Sequence, residues 1–258
     1  MKQLTEQQIV ENWNKLMQLI ENTFEGDRLK KLKTMYTYFE DRMSIAPASG
    51  KAAYHNAMVG GYVEHVLHIV QTAKELMGVY ERVGGIIDFT LEELVFSALH
   101  HDLGKVGDLT HEYYLPQEDD WRRKKLNEWF TQNDEMAFMS VTDRALFLLQ
   151  HFDIKVNHNE FMAIKCSDGM YDDANIQYFK TYKPENAFES ALPYVIHWAD
   201  HIATVTEKSQ WKHQEDVKTQ KVNKSVGNIK QAVKTEVETK LTGDSPKDLF
   251  DELFGDKK

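Results

Sequence analysis

Residues 94–108, LVFSALHHDLGKVGD, join an apolar helical run to two histidines and an aspartate, then meet a glycine and a lysine. At about 100° per residue, His101 and Asp102 fall near the arc held by Leu91, Leu94, Val95 and Ala98, with His100 roughly opposite. An imidazole and a carboxylate turned toward a core are costly unless paired or bound to a metal. Adjacent at a helix end, His101 and Asp102 can both turn toward one ion. Two other helical runs offer matching groups. His65 lies at the edge of the stripe Val63, Val66, Leu67, Val70, and Asp200 flanks the stripe Leu192, Val195, Ile196, Ala199. Two imidazoles and two carboxylates suit Mn²⁺, Fe²⁺, Co²⁺, Ni²⁺, Zn²⁺ or Mg²⁺ and leave positions for water and substrate, which is hydrolase chemistry.

Helices must position these groups. Helical spacing predicts elements over 5–23, 27–43, 62–80, 140–152 and 192–206, plus one entering the HHD stretch from Thr90. Thr5 with Gln8 and Thr90 with Glu93 read as capping boxes. With 13 Gly and 5 Pro in 258 residues, turn residues are too sparse for a sandwich, and the class expected is all-α. We expect packing helices over 1–48, a core over 49–206 and a polar linker or frayed helix over 207–258. On the same wheels His68 points away from its apolar stripe and is expected on a solvated surface, and His197 and His201 lie on the far side of theirs.

The connections carry further candidates. Residues 44–62 are rich in small residues and contain His55, which could sit at a pocket mouth or act as an acid. Arg122 and Arg123, with Lys124 and Lys125 beside Trp121 and Trp129, would make a basic, aromatic lip for a phosphate-bearing ligand or else a solvated amphipathic face. The acidic turn around Gly169 lacks the alternating ligands of an EF-hand but could border the pocket. Near the end, Leu249, Phe250, Leu253 and Phe254 sit in an acidic peptide beyond a polar segment. That pattern is similar to the peptides by which phage DNA polymerases and their associates bind a sliding clamp, which implies a protein partner docked through 246–255; packing back onto the body is the alternative.

A formal charge of −10 argues against nonspecific nucleic-acid coating, though not against a local basic groove. The single cysteine, Cys166, excludes an intrachain disulfide and a Cys-rich zinc site. The first residues lack a signal-peptide core and no run reaches about 18 apolar residues, so a cytoplasmic location without a membrane is expected.

The order His65, then His101-Asp102, then Asp200, with HHDLGK and WADHIAT around the last three, resembles the HD-domain metal-dependent phosphohydrolases. The stretch YHNAMVGGYVEHVLHI further resembles the HD domains of certain bacterial 3′-to-5′ exoribonucleases, and the likeness covers residues 50–206. It implies a helical bundle around a divalent metal, with His65, His101, Asp102 and Asp200 as ligands and Lys105 facing substrate phosphate. Asp102 would also orient the attacking water. Members with a second ion add histidines before the last aspartate; His151 is the best match, ahead of His111 and His158, so one ion or two stay open. Lys105 and His151 would stabilise phosphoryl charge. The activity implied is hydrolysis of a phosphoester or phosphoanhydride in a nucleotide or oligonucleotide. A non-catalytic nucleotide-binding or adaptor protein is the alternative.

Overall fold

The structure, a computed structural model, describes residues 3–213 apart from 53, 181, 182, 184 and 186. Helix α1, Glu6–Thr23, begins where the Thr5 hydroxyl accepts from the Gln8 amide and the Gln8 side chain accepts from the Thr5 amide. It buries Trp13, Leu16 and Ile20 at helical spacing. Helix α2, Gly26–Met43, answers with Leu32, Met35, Tyr36, Phe39 and Met43. Helix α3, Gly61–Arg82, starts at a tight approach: a Cβ on Gly61 would run into the Asn56 carbonyl, and Gly60 has a φ of +77°. Glycine is the residue that tolerates both conditions.

Helix α4, Leu91–His100, carries the expected Thr90–Glu93 capping box and stops at His101. A 3₁₀ turn, Leu103–Val106, follows directly. Helix α6, Val141–His151, lies against that turn, because Gly104 leaves room for the Val141 carbonyl and the buried Arg144 donates to the Gly104 carbonyl at 3.0 Å. Between them runs a strand β1, Tyr114–Pro116, a short helix α5, Asp120–Leu126, and a strand β2, Phe130–Gln132, paired antiparallel with β1. Helix α7, His158–Lys165, packs on α4 and α6. A four-residue helix α8, Ile176–Phe179, precedes α9, which is helical over 192–213. Residues of α1, α2, α3, α4, α6, α7 and α9 share one buried apolar cluster, so residues 1–48 contribute to the same core as the helices after them.

The fold is mostly helical, and no helix among the described residues is long and apolar enough to cross a membrane. Two features bear on the site. The stretch 109–135 holds a two-stranded ribbon as well as a helix, formed by Tyr, Leu, Phe and Thr positions whose shape suits a pleated surface. Helix α9 passes beyond residue 206, the helical alternative for the start of that stretch, and Glu207 on it is buried. Contacts divide the chain into Met1–Gln210 and Trp211–Lys258. The expected docking peptide over 246–255, and all of 214–258, lie outside the described residues.

Candidate metal centre

His101 is the residue at which α4 ends, and Asp102 opens the 3₁₀ turn; both side chains are buried. His65 comes from the second turn of α3 and Asp200 from α9. The structure brings all four together. His65 Nε2 lies 3.7 Å from Asp102 Oδ2 and 3.3 Å from Asp200 Oδ1. His101 Nε2 lies 3.5 Å from Asp102 Oδ2 and 3.9 Å from Asp200 Oδ1. Bonds of about 2.0–2.2 Å to a small cation hold neighbouring ligand atoms roughly 3.0–3.5 Å apart, so these separations are close to those of a ligand set.

The tautomers agree. His101 Nδ1–H donates to the Ala98 carbonyl at 2.8 Å, and His65 Nδ1–H donates to the Glu207 carboxylate at 3.0 Å. Each leaves Nε2 as the outward atom, and both Nε2 atoms are buried without a hydrogen-bond partner. A buried polar atom with no partner carries a desolvation cost that a ligand would remove. His65, His101 and Asp102 each place a donor atom within 4.8 Å of the others, and so could hold a cation.

The electrostatics have the same focus. Burial alone would raise the Asp102 pKa, but Lys105, whose Nζ donates to Oδ2 at 2.6 Å, and His101 hold it well below the usual carboxylate range. Burial likewise opposes the charge on Asp200, and the His65 ring beside it overrides that and lowers its pKa. Burial would lower the His65 pKa, but Glu207 and Asp200 carry it up to about 10, so the field at Nε2 favours either a second proton or a cation in its place. One buried and one half-buried carboxylate thus converge where positive charge is favoured, which is what a divalent cation supplies.

A cleft of about 600 Å³ opens onto Asp102, Lys105 and Asp200. His55 lines it, with its ring centroid 4.5 Å from that of His65 and both ring nitrogens buried and unpartnered. Burial, then the neighbouring His65, pushes its pKa down to about 3, so the ring is neutral. Tyr54, Tyr114 and Tyr171 supply aromatic walls, and Lys208 a second ammonium. Asp168 borders the same space, open to solvent on one side; desolvation first and Asp102 second raise its pKa.

Other candidates lie elsewhere. His151 is exposed at the end of α6, its ring against Phe147 and Phe152, and does not line the cleft. The helix bearing it buries Ala145, Leu148 and Leu149, which turns the histidine outward. His111 is tied to Asp108 and His158 faces Glu189, so neither joins the centre. Arg122 pairs with Glu128 and Arg123 with Asp120, local partners that hold both guanidinium groups on the α5 surface and away from the cleft. His197 and His201, on the far side from the apolar stripe of α9, line the cleft, because the 167–171 turn covers that side of the helix. The His197 Nδ1–H donates to the Ser167 carbonyl at 2.9 Å, and a Cβ on Gly169 would strike its ring. His68 is half-buried and donates to Glu207 at 2.8 Å. His100 does face away from the centre, but it is fully buried, donating from Nδ1 to Phe96 O at 2.7 Å and accepting from the Tyr36 hydroxyl at 3.3 Å. Glu207 escaped the sequence reading, although its spacing of seven from Asp200 puts both on one helix face.

The chemistry of His65, His101 and Asp102, with the Asp200 carboxylate beside them, suits a first-row divalent ion or Mg²⁺. In comparisons with known proteins, no family model, no curated protein and no solved structure matches this chain.

Proposed function

We propose that the chain is a metal-dependent phosphohydrolase of the HD-domain type, acting on a phosphoester or phosphoanhydride of a nucleotide or a nucleic-acid end. The observation that carries this reading is the aim of the unpartnered Nε2 atoms of His65 and His101 at the buried carboxylate of Asp102 and the half-buried carboxylate of Asp200, beside a cleft. His65, His101, Asp102 and Asp200 would hold the cation, which when bound supplies Lewis acidity toward a phosphoryl oxygen and toward water.

The chain's own groups do the rest. Lys105, kept charged because Asp102 overrides the effect of burial, sits in the cleft where a phosphate would dock and offers N–H donors beyond the one given to Asp102. His55, neutral and unpartnered on both ring nitrogens, is placed to accept or donate one hydrogen bond to substrate. The tyrosine walls offer faces for a base, and the cleft volume accommodates one nucleotide unit more readily than a duplex. A panel of mononucleotides, cyclic nucleotides and short oligonucleotides with Mn²⁺ tests the reading. Release of phosphate or nucleotide by the wild type, lost in Asp102→Ala, is expected. No turnover on any member with any divalent ion would refute it.

A further inference from the structure

Glu207 reaches from α9 to α3 and touches two histidines there. One carboxylate oxygen, Oε2, accepts from His65 Nδ1–H at 3.0 Å, and the other, Oε1, accepts from His68 Nδ1–H at 2.8 Å. His65 and His68 are three apart on one helix, so they present adjacent nitrogens on the same face. The Glu207 side chain is 5% exposed and that of His65 is fully buried. A buried carboxylate held at both oxygens has little freedom to rotate. Its partner ring is therefore fixed in orientation as well as in tautomer.

Resting on the reading of His65 as a metal ligand, we infer that Glu207 is a positioning residue for that ligand, with His68 locking Glu207 in turn. Donation from Nδ1 to Glu207 makes Nε2 the nitrogen that can give its lone pair to an ion in place of a proton, and Nε2 points toward Asp102 and Asp200. A carboxylate accepting from the distal nitrogen of a ligating imidazole also raises the basicity of the ligating one, and loss of such a partner costs ten- to a hundredfold in metal affinity. The companion contact at His101 is the Ala98 carbonyl, which is neutral. The two imidazoles would thus differ as donors, with His65 the stronger. A rival role exists for Glu207, since His55, His65 and Glu207 also bring ligand atoms within 4.8 Å of one another and could take an ion of their own. That role would require His65 Nδ1 to give up the proton it donates to Glu207, and we assign the carboxylate to positioning.

Cobalt(II) titration of the full chain, followed by calorimetry and by visible absorption, separates these roles. Wild type is expected to bind one cobalt. Glu207→Leu should still bind one, about ten- to a hundredfold more weakly, with an altered absorption spectrum. Glu207→Gln, which keeps an acceptor but no charge, should recover part of the loss, and His68→Ala should show a smaller weakening. If Glu207→Leu fails to fold, as judged by circular dichroism, Glu207→Gln carries the test alone. Equal affinity and spectrum in wild type and Glu207→Gln would overturn the inference. So would two cobalt ions in wild type with one retained in the Glu207 variants, which would make the carboxylate a ligand. A wild type that binds cobalt with unchanged Glu207 variants refutes the positioning role alone; a wild type that takes up no cobalt refutes the metal centre and this inference with it.

Discussion

At the scale of single residues, two neighbours in sequence have opposite uses. His101 sends Nε2 to the carboxylates, while His100 spends both nitrogens inside the protein on the Phe96 carbonyl and the Tyr36 hydroxyl. Burial pushes the His100 pKa down to about 3, so the ring packs as a neutral group. His100→Ala is therefore no silent control. It should cost about 2–4 kcal/mol in urea unfolding, through a cavity and two abandoned partners. His158→Ala, at an exposed site, should stay within about 0.5 kcal/mol. Helical periodicity could tell that His100 and His101 point apart, but it could not tell that the second direction leads into packed protein. A wheel gives an angle and carries no information about which neighbouring helix fills the space.

Cys166 gives a second residue-scale expectation. Its thiol is buried, and burial pushes the pKa up from an ordinary 9.0 to about 11. The native protein should react slowly with a thiol reagent at pH 8 and fully once unfolded. Because the folded value is the higher one, this group's stabilising contribution is complete below pH 9 and is lost as pH rises from 9 through 11. Denaturant midpoints in wild type and Cys166→Ala, measured across that window, check the sign: the wild type should lose more stability than the variant.

At the scale of elements, the turn after α4 is set by what crosses it. Gly104 faces the Val141 carbonyl with no room for a methyl group, and Arg144 reaches from α6 to the Gly104 carbonyl. The turn carries Asp102 at its start and Lys105 within it. Gly104→Ala should push α6 and the turn apart, cost about 1–3 kcal/mol, and weaken metal binding, read by denaturant unfolding and by cation titration of the same variant. The glycine was visible in HHDLGK, but the contact that requires it comes from a helix about 40 residues later, which no local pattern shows. The reverse holds for α1 and α4, whose ends are written in capping boxes of four residues and were legible for that reason. Helix α9 shows the cost of reading composition alone. The lysines spread after residue 207 leave linker and helix open, and it is the two imidazoles on α3 that draw Glu207 into the protein.

At the scale of the molecule, the four central side chains come from three places in the chain. His65 precedes His101 by 36 residues (101 − 65) and Asp200 follows Asp102 by 98 (200 − 102). An ion held by all four would tie α3, the α4 turn and α9 together. At a concentration a hundred times its dissociation constant it should add about 2.7 kcal/mol, or roughly 5–10 °C in the melting temperature of a chain this size. Differential scanning calorimetry should show that rise in wild type and not in His101→Ala. The candidate ligands were legible one by one because each sits on or beside the apolar stripe of its own helix. The aromatic walls, and the return of His197 and His201 to the cleft, were not, since they depend on a turn folding over the outer side of α9.

Metal content per chain tests the central claim most directly. After dialysis against Mn²⁺ and then metal-free buffer, elemental analysis of the wild type should find about one ion per chain, as a single set of ligands requires. His101→Ala combined with Asp102→Ala should reduce it to background. Equal metal in the two proteins, or none in the wild type, would contradict the account.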